Sequence, residues 1–231
     1  MIRNLLFHLF PVKGTLWTWH ADQLIRYRHV WNGRRIVVLA LSHVTVDEDV
    51  VRDIIRPLEA EILVRPNVAY YGETAHFVDA LSRLESKNPR EATFYAHAKG
   101  VSRPERENQI RRWCDAMYRL NLGNLEVTDR LLASYEAVGA FRIIMNHSGS
   151  PWHYSGTFFW LRHDALFTRA WQEIDDGRWG VEGYPGRHIP LEKSFSFTED
   201  NVSAELLYNG WVTEDKILRW EKVRDLLVQG L

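Results

Sequence analysis

The run Ile36-Val37-Val38-Leu39-Ala40-Leu41 decides the fold. It is continuously apolar, with no polar residue at alternate positions. A strand of that kind is covered on both faces, as strands of parallel sheets are. Working outward, residues 4–10 form a second apolar run of strand length. Between the two, Gly14 and Thr15 open a helical stretch that ends by Trp31, and Asn32-Gly33 closes it. On the far side, Thr45 and Glu48 have capping-box spacing, and Val50, Val51, Ile54, Ile55 and Leu58 make a helical face. A short strand at 61–64, a helix at 72–84 with Phe77, Leu81 and Leu84 on one side, and a strand at 93–96 continue the alternation. Strands alternating with helices at this spacing predict an α/β fold, a mostly parallel, doubly wound Rossmann-type sheet flanked by helices.

The second half changes character. Residues 106–135 read as helix, interrupted near Gly123-Asn124. Strands are expected at 138–145 and 157–161, with the loop 146–155 between them, and a helix at 164–174. Residues 177–200 are rich in Gly, Pro and aromatics without a clear period, the mark of an ordered functional loop. Thr213 caps a final helix with Ile217, Trp220, Val223, Leu226 and Leu227 expected inward. No repeat or linker divides the chain, so residues 1–231 are read as a single domain with two halves, 1–105 and 106–231.

Composition narrows the function. A length of 231 residues buries a core without staples, and 45% apolar with 26% charged residues is ordinary for a globular protein. The net charge of −1 draws neither nucleic acid nor an anionic surface globally, although basic clusters stand at 26–35 and 103–112. Cys114 is the sole cysteine, which rules out an intrachain disulfide and fits a reducing, cytoplasmic setting. The apolar run at 5–10 is too short to span a bilayer, so no transmembrane segment is expected. Ten tryptophans stand out, several beside His, Arg or Tyr.

Two stretches carry chemistry. Phe94-Tyr95-Ala96-His97-Ala98-Lys99-Gly100 leaves a buried strand, and ligands of open α/β sheets bind beyond the carboxyl ends of strands. Lys99 suits a diphosphate as a point charge, His97 suits a phosphate or sugar hydroxyl or acts as a base near neutral pH, and Gly100 permits a sharp exit. Trp152-His153-Tyr154-Ser155-Gly156-Thr157-Phe158-Phe159-Trp160-Leu161-Arg162 packs amphipathic rings around a Ser-Gly step. Flat rings with polar tips suit sugars and nucleobases, and the small step lets a ligand approach the backbone. The competing reading is a buried aromatic strand beside a tight turn. Glu182, among Gly, Tyr and Pro, is a candidate general base. Metal-site spacing is absent: there is no Cys pair and no His-Glu-x-x-His, and Asn146-His147 with His153 is a weak set. The Gly-x-Ser-x-Gly elbow, the phosphate loop and the Gly-x-Gly-x-x-Gly fingerprint are also absent.

Together these residues resemble bacterial glycosyltransferases of the GT-A, nucleotide-diphospho-sugar transferase fold, in particular those of capsular and rhamnan-type polysaccharide synthesis. The likeness rests on aromatic-x-His-x-Lys-Gly at 95–100, on Ser-Gly-x-aromatic-aromatic-Trp at 155–160, and on the Asn32-Gly33-Arg34-Arg35 junction. It implies a single GT-A-like domain that moves a sugar from a nucleotide-diphospho-sugar donor to an acceptor hydroxyl. Residues 1–105 would hold the nucleotide and 106–231 would shape the acceptor site. Lys99, Gly100 and Arg103 would bind the diphosphate, and Glu182 would be the base if the enzyme inverts, with His97 as the fallback. Trp152, His153, Tyr154, Ser155, Gly156 and Trp160 would line the sugar or acceptor pocket. Such enzymes usually carry Asp-x-Asp near the fourth strand to hold Mg²⁺ or Mn²⁺. Here His97-Ala98-Lys99 stands there, and Asp47-Glu48-Asp49 fits a helix start instead. Three expectations stay open: cations in place of the metal, acids from 182–200 holding it, or a fold kept without catalysis. The rivals are a non-catalytic carbohydrate- or nucleotide-binding module, an interaction scaffold, and, last, base stacking with Arg103, Arg106, Arg111 and Arg112.

Overall fold

The computed structural model describes residues 1–145 and 149–230. In chain order the elements are β1 (Ile2–Leu9), α1 (Trp17–Arg26), β2 (Arg35–Leu41), α2 (Glu48–Ile55), β3 (Glu61–Pro66), α3 (Thr74–Ser82) and β4 (Glu91–His97). Then come α4 (Glu107–Leu122), α5 (Leu125–Ser134), β5 (Ala137–Gly139), β6 (Arg142–Ile143), β7 (His153–Tyr154), β8 (Phe159–Arg162) and α6 (His163–Leu166). Last are α7 (Gly180–His188), β9 (Ser194–Ser196), α8 (Ala204–Tyr208) and α9 (Glu214–Gly230).

The main sheet has the order β3-β2-β1-β4-β8-β5-β9. All pairings among β1, β2, β3 and β4 are parallel, as is that of β5 with β9, while β8 runs antiparallel to both its neighbours. The expected mostly parallel α/β sheet flanked by helices is therefore present. Alternation along each strand sorts the core into two layers. Leu5, Phe7, Leu9, Val37, Leu39, Phe94 and Trp160 pack on one side with residues of α1, α4 and α5. Leu6, Ile36, Val38, Tyr95 and Phe159 pack on the other with residues of α3 and α7. The chain leaves β1 to one side for β2 and β3, then returns to the other side of β1 for β4. That reversal opens a crevice at the carboxyl ends of β1 and β4.

Several expectations need correction. The capping box at Thr45 does not form: Thr45 Oγ1 donates to the Ser42 carbonyl at 2.7 Å, and Asp47 holds the N-cap position. The strand expected at 138–145 breaks because Phe141 adopts a left-handed φ of 59°. Its second part, β6, leaves the main sheet and pairs with β7 in a two-stranded ribbon. The strand expected from Thr157 begins at Phe159, since Gly156 and Thr157 are both left-handed, at φ 97° and 65°. The helix expected at 164–174 stops at Leu166. Residues 177–200 hold α7 and β9, so the region is largely regular. In α9, Ile217 and Trp220 face inward as expected, but Val223 and Leu226 are half exposed and Arg224 is buried. The Arg224 guanidinium donates to the Arg119 carbonyl at 2.5 Å, which satisfies it there. Asn146 and His147 lie outside the described residues. No described helix is long and apolar enough to cross a membrane.

Candidate functional site

Two adjoining cavities open at the carboxyl ends of β1 and β4. The first, about 270 Å³, is lined by His8, Asn67, Glu73, His97, Lys99, Gly100, Arg103, Thr157, Arg178 and others. The second, about 470 Å³, is lined by Trp113, Ile143, Ile144, Met145, His153, Ser155, Asn201, Ser203 and others. Lys99, Arg103, Trp179, Glu182 and Tyr208 line both and form the wall between them.

The strand ends deliver the first group. His8 and His97 are register partners on adjacent parallel strands, so both imidazoles leave the sheet on the α3 side. Glu73, at the N-terminus of α3, hydrogen-bonds His97 Nδ1 through its carboxylate. Burial, with Lys99 and other cations nearby, pushes the His97 imidazole well below its ordinary range. Burial pushes His8 down to about 4. Both rings are therefore neutral at pH 7. Nε2 of each is buried with no hydrogen-bond partner.

Past His97 the chain turns at Gly100, whose φ of 90° is left-handed. A Cβ there would stand 2.6 Å from Ile110 Cγ2, so the sharp exit needs glycine on two counts. The turn is held from beneath by His20, whose Nε2 donates to the Lys99 carbonyl at 2.9 Å. The Lys99 ammonium then lies 4.4 Å from the Trp113 ring centre and 5.7 Å from that of Tyr208. The Arg103 guanidinium lies 4.6 Å from the Tyr208 ring centre. Neither cation has a carboxylate partner among the described residues, and nor does Arg178. Aromatic faces hold cations in place without neutralising them. The junction is thus positive and open to an anion.

Glu182 reaches the junction from α7. That helix docks tightly on β7 because Gly186 lies against the Trp152 carbonyl, where a Cβ would come within 1.9 Å. Tyr184 Oη anchors the same helix by donating to the Trp171 carbonyl at 2.5 Å. The Glu182 carboxylate lies 3.8 Å from His153 Nε2, and both side chains are mostly buried.

The structure brings His97, Lys99, Gly100, Arg103, His153, Ser155 and Glu182 to the cavities. It does not bring Trp152, Tyr154 or Trp160, whose rings are fully buried in the core. Their polar tips are spent on backbone: Trp152 Nε1 donates to Ile189, Tyr154 Oη to Phe195 and Trp160 Nε1 to Asn121. Gly156 packs against Met117 and Trp113, where a Cβ would collide with sulfur at 2.7 Å. Sequence reasoning missed His8, Glu73, Arg178 and Tyr208. His8 carried a readable signal, a lone histidine inside an apolar strand. Glu73, Arg178 and Tyr208 arrive from distant segments and carried none.

Among the described residues no group of three or more His, Cys, Asp or Glu side chains is arranged to hold a metal ion. Glu73 is engaged by His97, and the neighbouring charges are cationic.

Fold and site together define a class: an α/β protein with a mostly parallel sheet and a two-chambered, cation-lined cleft at its switch point. No protein-family model matches the chain, and no curated protein matches it. Among solved structures, 4-diphosphocytidyl-2C-methyl-D-erythritol synthase is similar over 98% of this chain and 99% of its own, at 12% identity and a TM-score of 0.43. A likeness at that level carries no argument about function.

Proposed function

We propose that the protein is a glycosyltransferase that moves a sugar from a nucleotide-diphospho-sugar to an acceptor hydroxyl. One observation carries this reading. Two cavities share a wall on which Lys99 and Arg103, without a carboxylate partner among the described residues, stand with Glu182. Transfer between two substrates needs two chambers meeting at one reacting carbon. The first chamber is lined mainly by residues before 105 and takes the nucleotide. The second is lined mainly by later residues and takes the acceptor.

In this reading the acceptor oxygen attacks the anomeric carbon and the bond from that carbon to the diphosphate oxygen breaks. The diphosphate departs with the bonding electron pair. Lys99, Arg103 and Arg178 stabilise that charge, held ready by Trp113, Tyr208 and Trp179. Glu182 accepts the hydroxyl proton, and His153, 3.8 Å away, lies beside it. No step in this reading runs through a metal: the cations Lys99, Arg103 and Arg178 take the charge of the diphosphate. The platform of Trp152, Tyr154 and Trp160 expected under both the transferase and the binding-module readings lies in the core, so neither reading leans on it.

The test is acceptor-dependent release of nucleoside diphosphate, with a panel of donor sugars and simple glycosides. Glu182→Gln is expected to lower kcat at least about a hundredfold while leaving donor affinity within a few-fold. Wild-type turnover by that variant removes Glu182 from the chemistry. Binding without turnover by the native protein favours the module.

A further inference from the structure

Two histidines that line the first cavity each have a buried ring nitrogen with no hydrogen-bond partner among the described residues. His8 Nε2 and His97 Nε2 are both shielded from solvent and both without a hydrogen-bond partner. Such orphans are few in folded proteins and mark places where a group is missing. These two belong to register partners on adjacent strands and line the same chamber.

Their protonation states differ in kind. An ionised Glu73 can only accept, and beside it a neutral His97 ring carries its proton on Nδ1 and presents a lone pair at Nε2. No such contact fixes the His8 ring, which is free to carry its proton on Nε2. One side therefore needs a donor and the other can supply one. A phosphate oxygen cannot donate and an ammonium cannot accept. A hydroxyl does both.

We infer that His8 and His97 clamp a single hydroxyl of the ribose of the bound nucleotide, with Glu73 as the positioning residue that sets the His97 tautomer. The inference rests on the glycosyltransferase reading. It places the ribose because the cations for the diphosphate begin at Lys99, two residues beyond His97, and ribose is the group that adjoins the diphosphate on the nucleoside side. The His8 side of the chamber is then the nucleoside side.

The experiment is calorimetric binding of uridine and guanosine diphosphates, each compared with its 2′-deoxy and 3′-deoxy forms. One ribose position is expected to matter: its removal lowers affinity about ten- to a hundredfold, since two buried nitrogens are again left unpaired. In His97→Phe that ratio is expected to fall to near one, with the deoxy form bound as in the native protein. Glu73→Ala is expected to shrink the ratio likewise, and to move the His97 ring ¹⁵N signals away from those of an Nδ1–H imidazole. A purely structural glutamate would leave both readouts alone. Equal binding of ribo and deoxy forms by the native protein overturns the clamp and leaves the donor reading standing. The pair would then hold only a water. Failure of every nucleoside diphosphate to bind overturns the donor reading and the clamp with it.

Discussion

At the scale of single residues, the cleft separates groups that hold the fold from groups that face a ligand. Lys99 faces the ligand side: its ammonium rests on Trp113 and Tyr208 without an acid. Lys99→Met keeps the stem and removes the charge. It is expected to weaken nucleoside diphosphate binding at least about tenfold by calorimetry, with the melting temperature nearly unchanged. Trp152 belongs to the fold. Trp152→Ala is expected to cost about 3–5 kcal/mol in urea unfolding, because it empties a buried site and strands the Ile189 carbonyl. Histidine sets the acid limit. His8 and His20 are neutral in the folded protein, pushed by burial down to about 4, and both bind protons near pH 6.5 once unfolded. The unfolded state then holds more protons between those values. Stability is expected to be full above about pH 6.5 and to fall as pH drops towards 4, each ring contributing about 1.4 kcal/mol per pH unit. Urea titrations of native protein and His8→Phe check this, the variant showing the shallower slope.

At the scale of elements, the turn after β4 and the helix α7 place the working groups. Gly100→Ala forces a side chain into a left-handed turn against Ile110 and is expected to cost about 2 kcal/mol or more, read as a lowered melting temperature. Gly186→Ala pushes α7 off the Trp152 carbonyl and carries Glu182 with it. A displacement of that kind is expected to lower kcat by at least about tenfold even where the protein still folds. These elements differ in how far the sequence exposed them. The strand at 91–97 and its His97-x-Lys99-Gly100 exit were readable, because an apolar run ending in charged and small residues is local information. Helix α7 was not, because Gly180, Gly183, Pro185 and Gly186 contradict helical propensity. Close packing on β7 overrides that propensity. The rings of Trp152, Tyr154 and Trp160 were misplaced for the same reason in reverse, while His153 and Ser155 do line the second cavity. Amphipathic rings suit a ligand or a core equally, and only the tertiary partners Ile189, Phe195 and Asn121 decide.

At the scale of the whole molecule, the parallel half of the sheet was legible from apolar runs and helical periodicity, since a buried parallel strand has few other spellings. The antiparallel insertion of β8 between β4 and β5 was not, since its neighbours are set by distant packing. That insertion places the 152–162 segment beside the β1–β4 crevice, and α7 and α8 bring Glu182 and Tyr208 to the wall between the chambers. The most direct test of a nucleotide-sugar site there is thermal stabilisation of the purified protein by UDP-, GDP- and dTDP-sugars, with and without Mn²⁺. A ligand that binds only the native state must raise the melting temperature. A selective rise with one donor, equal with and without Mn²⁺ and lost in Lys99→Met, is the expected result. No rise with any donor at millimolar concentration would contradict a nucleotide-sugar site in this cleft.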